Sequence, residues 1–444
     1  MIRKFTMKKI LYTAFLFAFI LFLGCSTDSS SSFDPGTGGG DPPDEIPELT
    51  DEVEAYEPDI IHDNYVFAIE NGGTKSYLLN KAGEKVYEWE FDINLGNDVE
   101  LMPDGKLLGM FKSENPQITA GGFGGIVRIY GFEGSLLWEY EYNTFDYIAH
   151  HDVELLDNGN VLIMVWERID VTTAQNNGIE TTVDIIPEKL IEVNISTNEI
   201  VWEWRAWDHI VQESDPGKPN YGVVADNPHL INLNYTAGDV GDITHANGID
   251  VDEVNDLIYL SVNFFDEVWV IDHSTTTAEA ASSSGGNYGK GGDLVYRFGN
   301  PRAYNNMEGN VLFDRNHFPN LLENGEPGSG NLLIYVNGNS VSQSTVYELD
   351  LPDTFNLQPN TNNEPTAIWS FVHPDLYHGR LSGATRLSNG NTLICEGDYG
   401  YWEVTPNNEV AWKYNGASAT GGNFWRGYAY DKDHPAIIAL GLSN

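Results

Sequence analysis

From about residue 60 onward, short runs of β-branched and aromatic residues alternate with Asn-Gly and Asp-Gly turns, and no helical periodicity is sustained. Apolar runs of that length, punctuated by such dipeptides, predict strands and hairpins in an all-β protein. Two phrases recur. One is a turn leading into an apolar strand: "LMPDGKLLGM", "LLDNGNVLIMV", "VDEVNDLIYLS", "LLENGEPGSGNLLIYV" and "RLSNGNTLICEG". The other is a strand closing on an aromatic, and it occurs six times, at Tyr87, Trp138, Trp202, Tyr296, Trp369 and Trp412. Spacings of roughly 40 to 95 residues fit four-stranded units with loop insertions. The expected fold is therefore a six-bladed β-propeller with four-stranded blades around a central channel. The segment "HDNYVFAIENGGTKSYLLN" is expected to supply strands of the first blade, and how the ring closes is not legible. Two polar insertions, 207–241 and 273–292, are expected on the surface, the first as a cover for one mouth of the channel.

The start of the chain has a different pattern. Arg3, Lys4, Lys8 and Lys9 precede an apolar run from Ile10 to Leu23, which is too short and too N-terminal for a membrane span. It ends in Leu23-Gly24-Cys25, which resembles a bacterial lipobox with Cys25 as the lipidated residue. Phe22 departs from the small aliphatic residue usual there, so a plain signal peptide is the alternative. Either way the chain is expected to be exported, and in the lipobox reading it is anchored by lipid to a membrane of the bacterial cell envelope (periplasm or outer membrane). The expected organisation is a leader over 1–24, a Ser/Gly/Pro/Asp-rich tether over 25–55 and the propeller over 56–444.

Charge then narrows the partners. The formal net charge is −43, and removal of the leader's four basic residues takes it to −47. Such a chain lacks the basic face that nucleic-acid binding needs. An anionic substrate would need a neutral or positive site inside an acidic shell. Beyond Cys25 the sequence has one further cysteine, Cys395, so no intramolecular disulfide is expected in the folded part.

Candidate chemistry comes from the register of the repeats. Stepping back seven residues from the first turn residue of each hairpin leads to Asn97, His151, His245, His317 and Ser382. The phrases "NDVELMPDG" and "HDVELLDNG" align directly. Repeat-equivalent residues in a propeller are related by rotation about the channel, so these five should form a polar ring at one mouth. Convergent polar groups in a concavity define the default site. The remaining histidines lack this register and default to loop or surface; His150 is a possible partner of His151. Three convergent imidazoles suit either a metal ion with an open position or a nucleophile with two assisting histidines. A third possibility is a propeller that binds a ligand without catalysis. The residue pattern leaves these open.

The phrases "HDVELLDNGNVL", "THANGIDVDEVNDLIYLSVNFFDEVWVID", "NHFPNLLENG", "SGATRLSNGNTLI" and "NFWRGYAYDKDHP" resemble the bacterial arylsulfate sulfotransferases, from about residue 95 to 435 and in the family's order. The resemblance implies ping-pong transfer of a sulfuryl group from an aryl sulfate to a phenol, without nucleotide donor or cofactor. It implies that His317 is the nucleophile, that His245 and Asn247 donate to sulfate oxygens, and that His151 is the acid or base at the phenolic oxygen. Family members carry an arginine where Asn263 stands here. Positive charge is then expected from Arg380, in "YHGRLSG", or from Arg426, which matches the family's C-terminal arginine. Some members also have an N-terminal domain that promotes dimerisation; about 35 residues between Cys25 and the first strands leave no room for it. Oligomeric state is not legible.

Overall fold

Continuous apolar runs fill the interior of each blade. Val161–Glu167 is buried at every position because neighbouring blades cover both of its faces. Leu136–Glu141, at the rim, exposes Leu136, Leu137, Glu139 and Glu141. The computed structural model describes residues 47–443 and contains six antiparallel sheets. The leader, Cys25 and most of the expected tether lie outside the described residues.

Blade 1 combines Asn64–Glu70, Lys75–Leu79 and Lys85–Glu90 with an innermost strand from the C-terminus, Phe424–Asp431. The inner strands of blades 2 to 6 are Leu95–Leu101, Tyr147–Leu155, Ala246–Asp252, Asn316–Leu321 and Gly383–Arg386. Blade 6 gains a fifth, outermost strand, Val53–Tyr56, which pairs with Val410–Tyr414. The ring is thus closed twice, by the C-terminal strand on the inside and by an N-terminal strand on the outside. This explains a mismatch in the sequence: the aromatic phrase occurs six times, the hairpin phrase only five. Blade 1 has no hairpin after its inner strand, because that strand arrives from the other end of the chain. The outer strand also places the start of the propeller at 53 rather than 56.

All six repeat aromatics sit on the fourth strands, and each sends its polar handle to the turn before the fourth strand of the following blade. Tyr87 Oη donates to Phe132 O (2.9 Å), Trp138 Nε1 to Asn198 Oδ1 (2.8 Å) and Trp202 Nε1 to Thr275 Oγ1 (3.1 Å). Tyr296 Oη donates to Asn363 O, Trp369 Nε1 to Pro406 O (3.1 Å) and Trp412 Nε1 to Lys81 O (2.9 Å). The last bond crosses the closure, so the clasp runs around the whole ring. An aromatic with one polar atom suits this position, since its body packs between blades while its N–H or O–H reaches across.

Insertion 207–241 packs on the face where the inner strands begin, with Ile210, Ile231 and Leu233 in the core shared with blades 3 and 4. Insertion 273–292 leaves the third strand of blade 4 and runs back to meet the first insertion, Lys290 Nζ lying 3.3 Å from His229 Nε2; it contains the short helix Thr277–Ala280, closed by a capping box from Thr276 and Glu279.

Candidate functional site

The inner strands are irregular where the ring residues fall. The register shifts between Leu95 and Val99 in blade 2, between Ala246 and Gly248 in blade 4 and between His317 and Pro319 in blade 5. In blade 3, Ala149 and Val153 flank the extra residues, and in blade 1, Phe424 and Gly427 do. A bulge bends the strand and re-aims a side chain, here at the channel mouth. The backbone is correspondingly unusual: φ is +54° at His151, +48° at His245, +53° at Phe318 and +97° at Ser382. Non-glycine residues in this region cost roughly 1–3 kcal/mol each and cluster at functional sites.

The three histidines meet around Trp425. The ring centroids of His151 and His245 are 5.0 Å apart, those of His151 and Trp425 5.7 Å, and those of His317 and Trp425 6.2 Å. Each imidazole is held through Nδ1. In His317, Nδ1 lies 2.5 Å from Asn337 Oδ1. The Asn337 amide nitrogen donates to the carbonyls of His378 (2.5 Å) and Leu381 (3.0 Å), which fixes the direction of the amide. Its oxygen therefore accepts from His317, so the proton is on Nδ1 and the lone pair on Nε2. Burial pushes the His317 pKa down to about 3, against the Asn337 bond that raises it; His245, Arg426 and His378 push it further down. Neutral imidazole is thus its form at ordinary pH.

His245 Nδ1 is 2.5 Å from Asp242 Oδ2, and its ring stacks on Phe264 with centroids 4.7 Å apart. His151 Nδ1 is 2.8 Å from His150 Nδ1. Burial first, and then repulsion from His245, His150, His317 and Arg426, holds His151 well below the ordinary histidine range. In front of its Nε2 stands Gly122, with φ at +86°; a Cβ added there would come within 2.0 Å of that nitrogen. The imidazole of His151 fills the volume a side chain there would take, so glycine lets the loop pack directly against the ring. Gly121 lies near His245 less tightly, its Cβ position at ordinary contact distance, 3.8 Å, from Cε1. The loop that touches the histidines therefore comes from blade 2, while insertion 207–241 contributes Asp242 at the end of its connection.

The other expected residues take varied places. Asn97 donates to Gly122 O (3.2 Å) and so supports the glycine loop. Ser382 Oγ accepts from the Gly397 amide (3.1 Å). One amide hydrogen of Asn247 is engaged by Asn316 O (2.8 Å), while its Oδ1 is buried without a partner. Asn263 is buried beside the nucleophile candidate, donating to Asn316 O (3.0 Å) and lying 3.5 Å from His317 Nδ1. Arg380 is exposed in the loop that follows His378. Arg426 lies in the next layer of the channel. It is buried, its Nη1 is 2.9 Å from Asp152 Oδ2 and 3.5 Å from Asp98 Oδ1, and its Nη2 donates to Asn247 O (2.8 Å). Its charge is matched inside the protein. Among the described residues, no three His, Cys, Asp or Glu side chains are disposed to hold a metal ion.

The register missed several residues. Trp425 is the blade 1 member of the ring, invisible without a hairpin to count back from. Asn337 and Asn263 both directly follow the second strand of their blades, so counting forward from the turns would have found the pair. Arg315, two residues before His317, donates to Asn263 O (3.2 Å) and covers Phe264 at 4.8 Å. Glu188, Asp242 and Gly122 carry no repeat signal. Of the histidines left as loop or surface, His209 and His378 are buried; His209 bonds Asp293 and Ala280 O, and its role is structural.

Comparison with known proteins adds an activity to this geometry. Among curated proteins none matches the chain. Solved structures resemble it only distantly. A protein of unknown function from Bacteroides caccae is 14% identical, with a TM-score of 0.46, over 83% of this chain and 99% of that one. Hydrazine synthase from Kuenenia stuttgartiensis is 16% identical, with a TM-score of 0.36, over 66% and 70%. The WD40 domain of Toxoplasma gondii coronin is 9% identical, with a TM-score of 0.38, over 85% and 75%. None of these carries the assignment. The family model of the arylsulfotransferases (ASST) does, matching residues 52–419, which span five complete blades, the whole histidine ring and the outer closing strand. The chain belongs to the arylsulfotransferase family and is an aryl sulfotransferase on a six-bladed propeller.

Proposed function

We propose that the protein moves a sulfuryl group from an aryl sulfate to a phenol by a ping-pong route through a covalent sulfohistidine on His317. The observation that carries this reading is the Asn337 amide, which leaves Nε2 of a neutral, buried imidazole as the lone pair. In the donor half, Nε2 attacks sulfur, the N–S bond forms and the S–O(aryl) bond breaks. In the acceptor half, a phenol oxygen attacks the same sulfur and releases His317. Splitting one transfer into two displacements is the ordinary gain of nucleophilic catalysis. His151 supplies the proton to the departing oxygen and takes it from the arriving one. His245, oriented by Asp242, and Asn247 are the donors for sulfate oxygens as charge builds. Arg315 and Arg380 supply positive charge at the mouth, since Arg426 is spent on Asp98 and Asp152. The leader pattern ending at Cys25 supports export and lipid anchoring in the cell envelope.

The test is incubation with a chromogenic aryl sulfate without acceptor, followed by peptide mass mapping. The expected result is about one equivalent of phenol released and a sulfuryl mass increase on the peptide holding His317. Turnover with no such mass on any histidine peptide would sink the covalent route.

A further inference from the structure

Behind His151 lies a second, fully buried pair. His150 is enclosed, stacked on Trp166 with centroids 3.9 Å apart. Its Nδ1 faces His151 Nδ1 at 2.8 Å, and its Nε2 faces Glu188 Oε2 at 2.8 Å. Glu188 is also enclosed. Its Oε1 accepts from Trp166 Nε1 (3.1 Å), Thr244 Oγ1 (3.1 Å) and the Ala246 amide (2.9 Å). Trp166 Nε1 and the Ala246 amide can only donate, so Oε1 is an acceptor; with Glu188 as the carboxylate, the hydrogen of the Oε2 bond lies on His150 Nε2. A proton must also lie between the two facing Nδ1 atoms.

Resting on the sulfohistidine reading, we propose that Glu188, His150 and His151 form a three-member proton relay, in which His150 stores the proton that His151 exchanges with the phenolic oxygen. The relay has two states. In the loaded state His150 bears hydrogens on both nitrogens and is paired with Glu188, while His151 is neutral with its hydrogen on Nε2. As the S–O(aryl) bond breaks, the Nε2 hydrogen passes to the aryl oxygen, and the Nδ1 hydrogen of His150 passes to Nδ1 of His151. The emptied state has neutral His150 beside Glu188 and a lone pair on His151 Nε2, ready for the proton of the acceptor phenol. The acceptor half runs the same transfers backwards, so protons balance over the cycle.

This arrangement gives His151 a role its surroundings permit. His245, His317, His150 and Arg426 all face it, and no carboxylate is bonded to it, so it does not hold a charge. His150 has Glu188 on its far side, which does accommodate one. His151 touches substrate, while His150 and Glu188 act through it as positioning and storage groups.

Glu188→Gln tests the relay. The three donors on Oε1 require an oxygen there, so the new amide nitrogen faces His150 Nε2 and forces the His150 hydrogen to Nδ1. The store is then lost while packing is retained. Donor-half phenol release is compared for 4-nitrophenyl sulfate, whose phenolate leaves unaided, and 4-methylphenyl sulfate, whose phenolate needs the proton. General acid catalysis contributes about 10²–10⁴-fold, so the variant should widen the ratio of the two rates by about 10²-fold or more. His150→Gln should widen it similarly. The ratio does not depend on the folded fraction, so a destabilised variant still reports. Equal slowing of both donors would overturn the relay. If wild type gains sulfuryl mass on the His317 peptide while the variants slow both donors alike, only the relay fails. If wild type releases phenol without that mass, the sulfohistidine reading fails instead.

Discussion

The propeller contains two concentric rings built on opposite rules. At the rim, six aromatics in equivalent positions make the same kind of bond to the next blade, and the ring they form only holds blades together. At the channel mouth, equivalent positions hold Asn97, His151, His245, His317, Ser382 and Trp425, and each does something different. The rim is uniform because six interfaces face the same packing problem. The mouth is diverse because each of its six positions meets different neighbours: Asn97 supports the Gly122 loop, Ser382 accepts from Gly397, and His317 is held by Asn337. Bulges occur in both, between third and fourth strands at the rim and along the inner strands at the mouth; at the mouth they accompany positive φ at His151, His245, Phe318 and Ser382.

The sharpest way to separate the rings is to remove one member of each. His317→Ala should lower transfer on the order of 10⁴-fold or more, with an unchanged unfolding midpoint, checked by phenol release and thermal denaturation; substantial remaining activity would mean another group is the nucleophile. Gly122→Ala comes next. It places a methyl before His151 Nε2 at a positive φ, so activity should fall about 10²-fold while the backbone strain costs about 1–2 kcal/mol. The rim should answer in the opposite sense. Trp202→Phe and Trp412→Phe each remove a buried interblade bond and some packing, and should cost about 1–3 kcal/mol of stability with kcat unchanged. A rim variant that lost activity without losing stability would break the division.

Two pH experiments sharpen it further. Because the pKa of His317 is lowered to about 3, its neutral form persists through mild acid. The donor half with 4-nitrophenyl sulfate should therefore stay level from about pH 8 to about pH 5, where a histidine of ordinary pKa near 6.5 would already have lost most of its rate. The carboxyls further down the channel work on stability. Burial raises Asp250 to about 8 and Glu100 to about 7, and for both a smaller share comes from nearby carboxylates. Raised acids bind protons more tightly in the folded state, so their stabilising effect is full at low pH and is lost as pH rises through about 7 to 8. Glu100→Gln should then raise the unfolding midpoint modestly at pH 8 and leave it unchanged near pH 4; an equal gain at both would point to packing instead.

What the sequence disclosed follows the same division. The blade count was legible because the clasp aromatics repeat, and the fold needs them at the same point of every blade. Three of the mouth histidines were legible because they keep the register of the Asn-Gly turns. Asn337 and Asp242 were not, since each is set by a different neighbour and neither recurs around the ring. Glu188 is 38 residues from His150 in the chain and meets it only through the sheet of blade 3. The motif around Arg426 points to positive charge for the sulfate. Two aspartates from blades 2 and 3, each next to a ring position, engage Arg426 in the folded protein.

The inner closing strand also sets when the site comes into being. Trp425, which touches His151 and His317, stands on the strand that leaves the ribosome after every blade it joins. A chain halted before residue 424 holds all three histidines and Asn337, yet blade 1 lacks its inner wall and the channel stays open along one side. Assembly of the catalytic pocket is thus tied to completion of synthesis. Contacts between positions so far apart in sequence form late in folding, and the three histidines stay without their Trp425 neighbour until the last strand is seated.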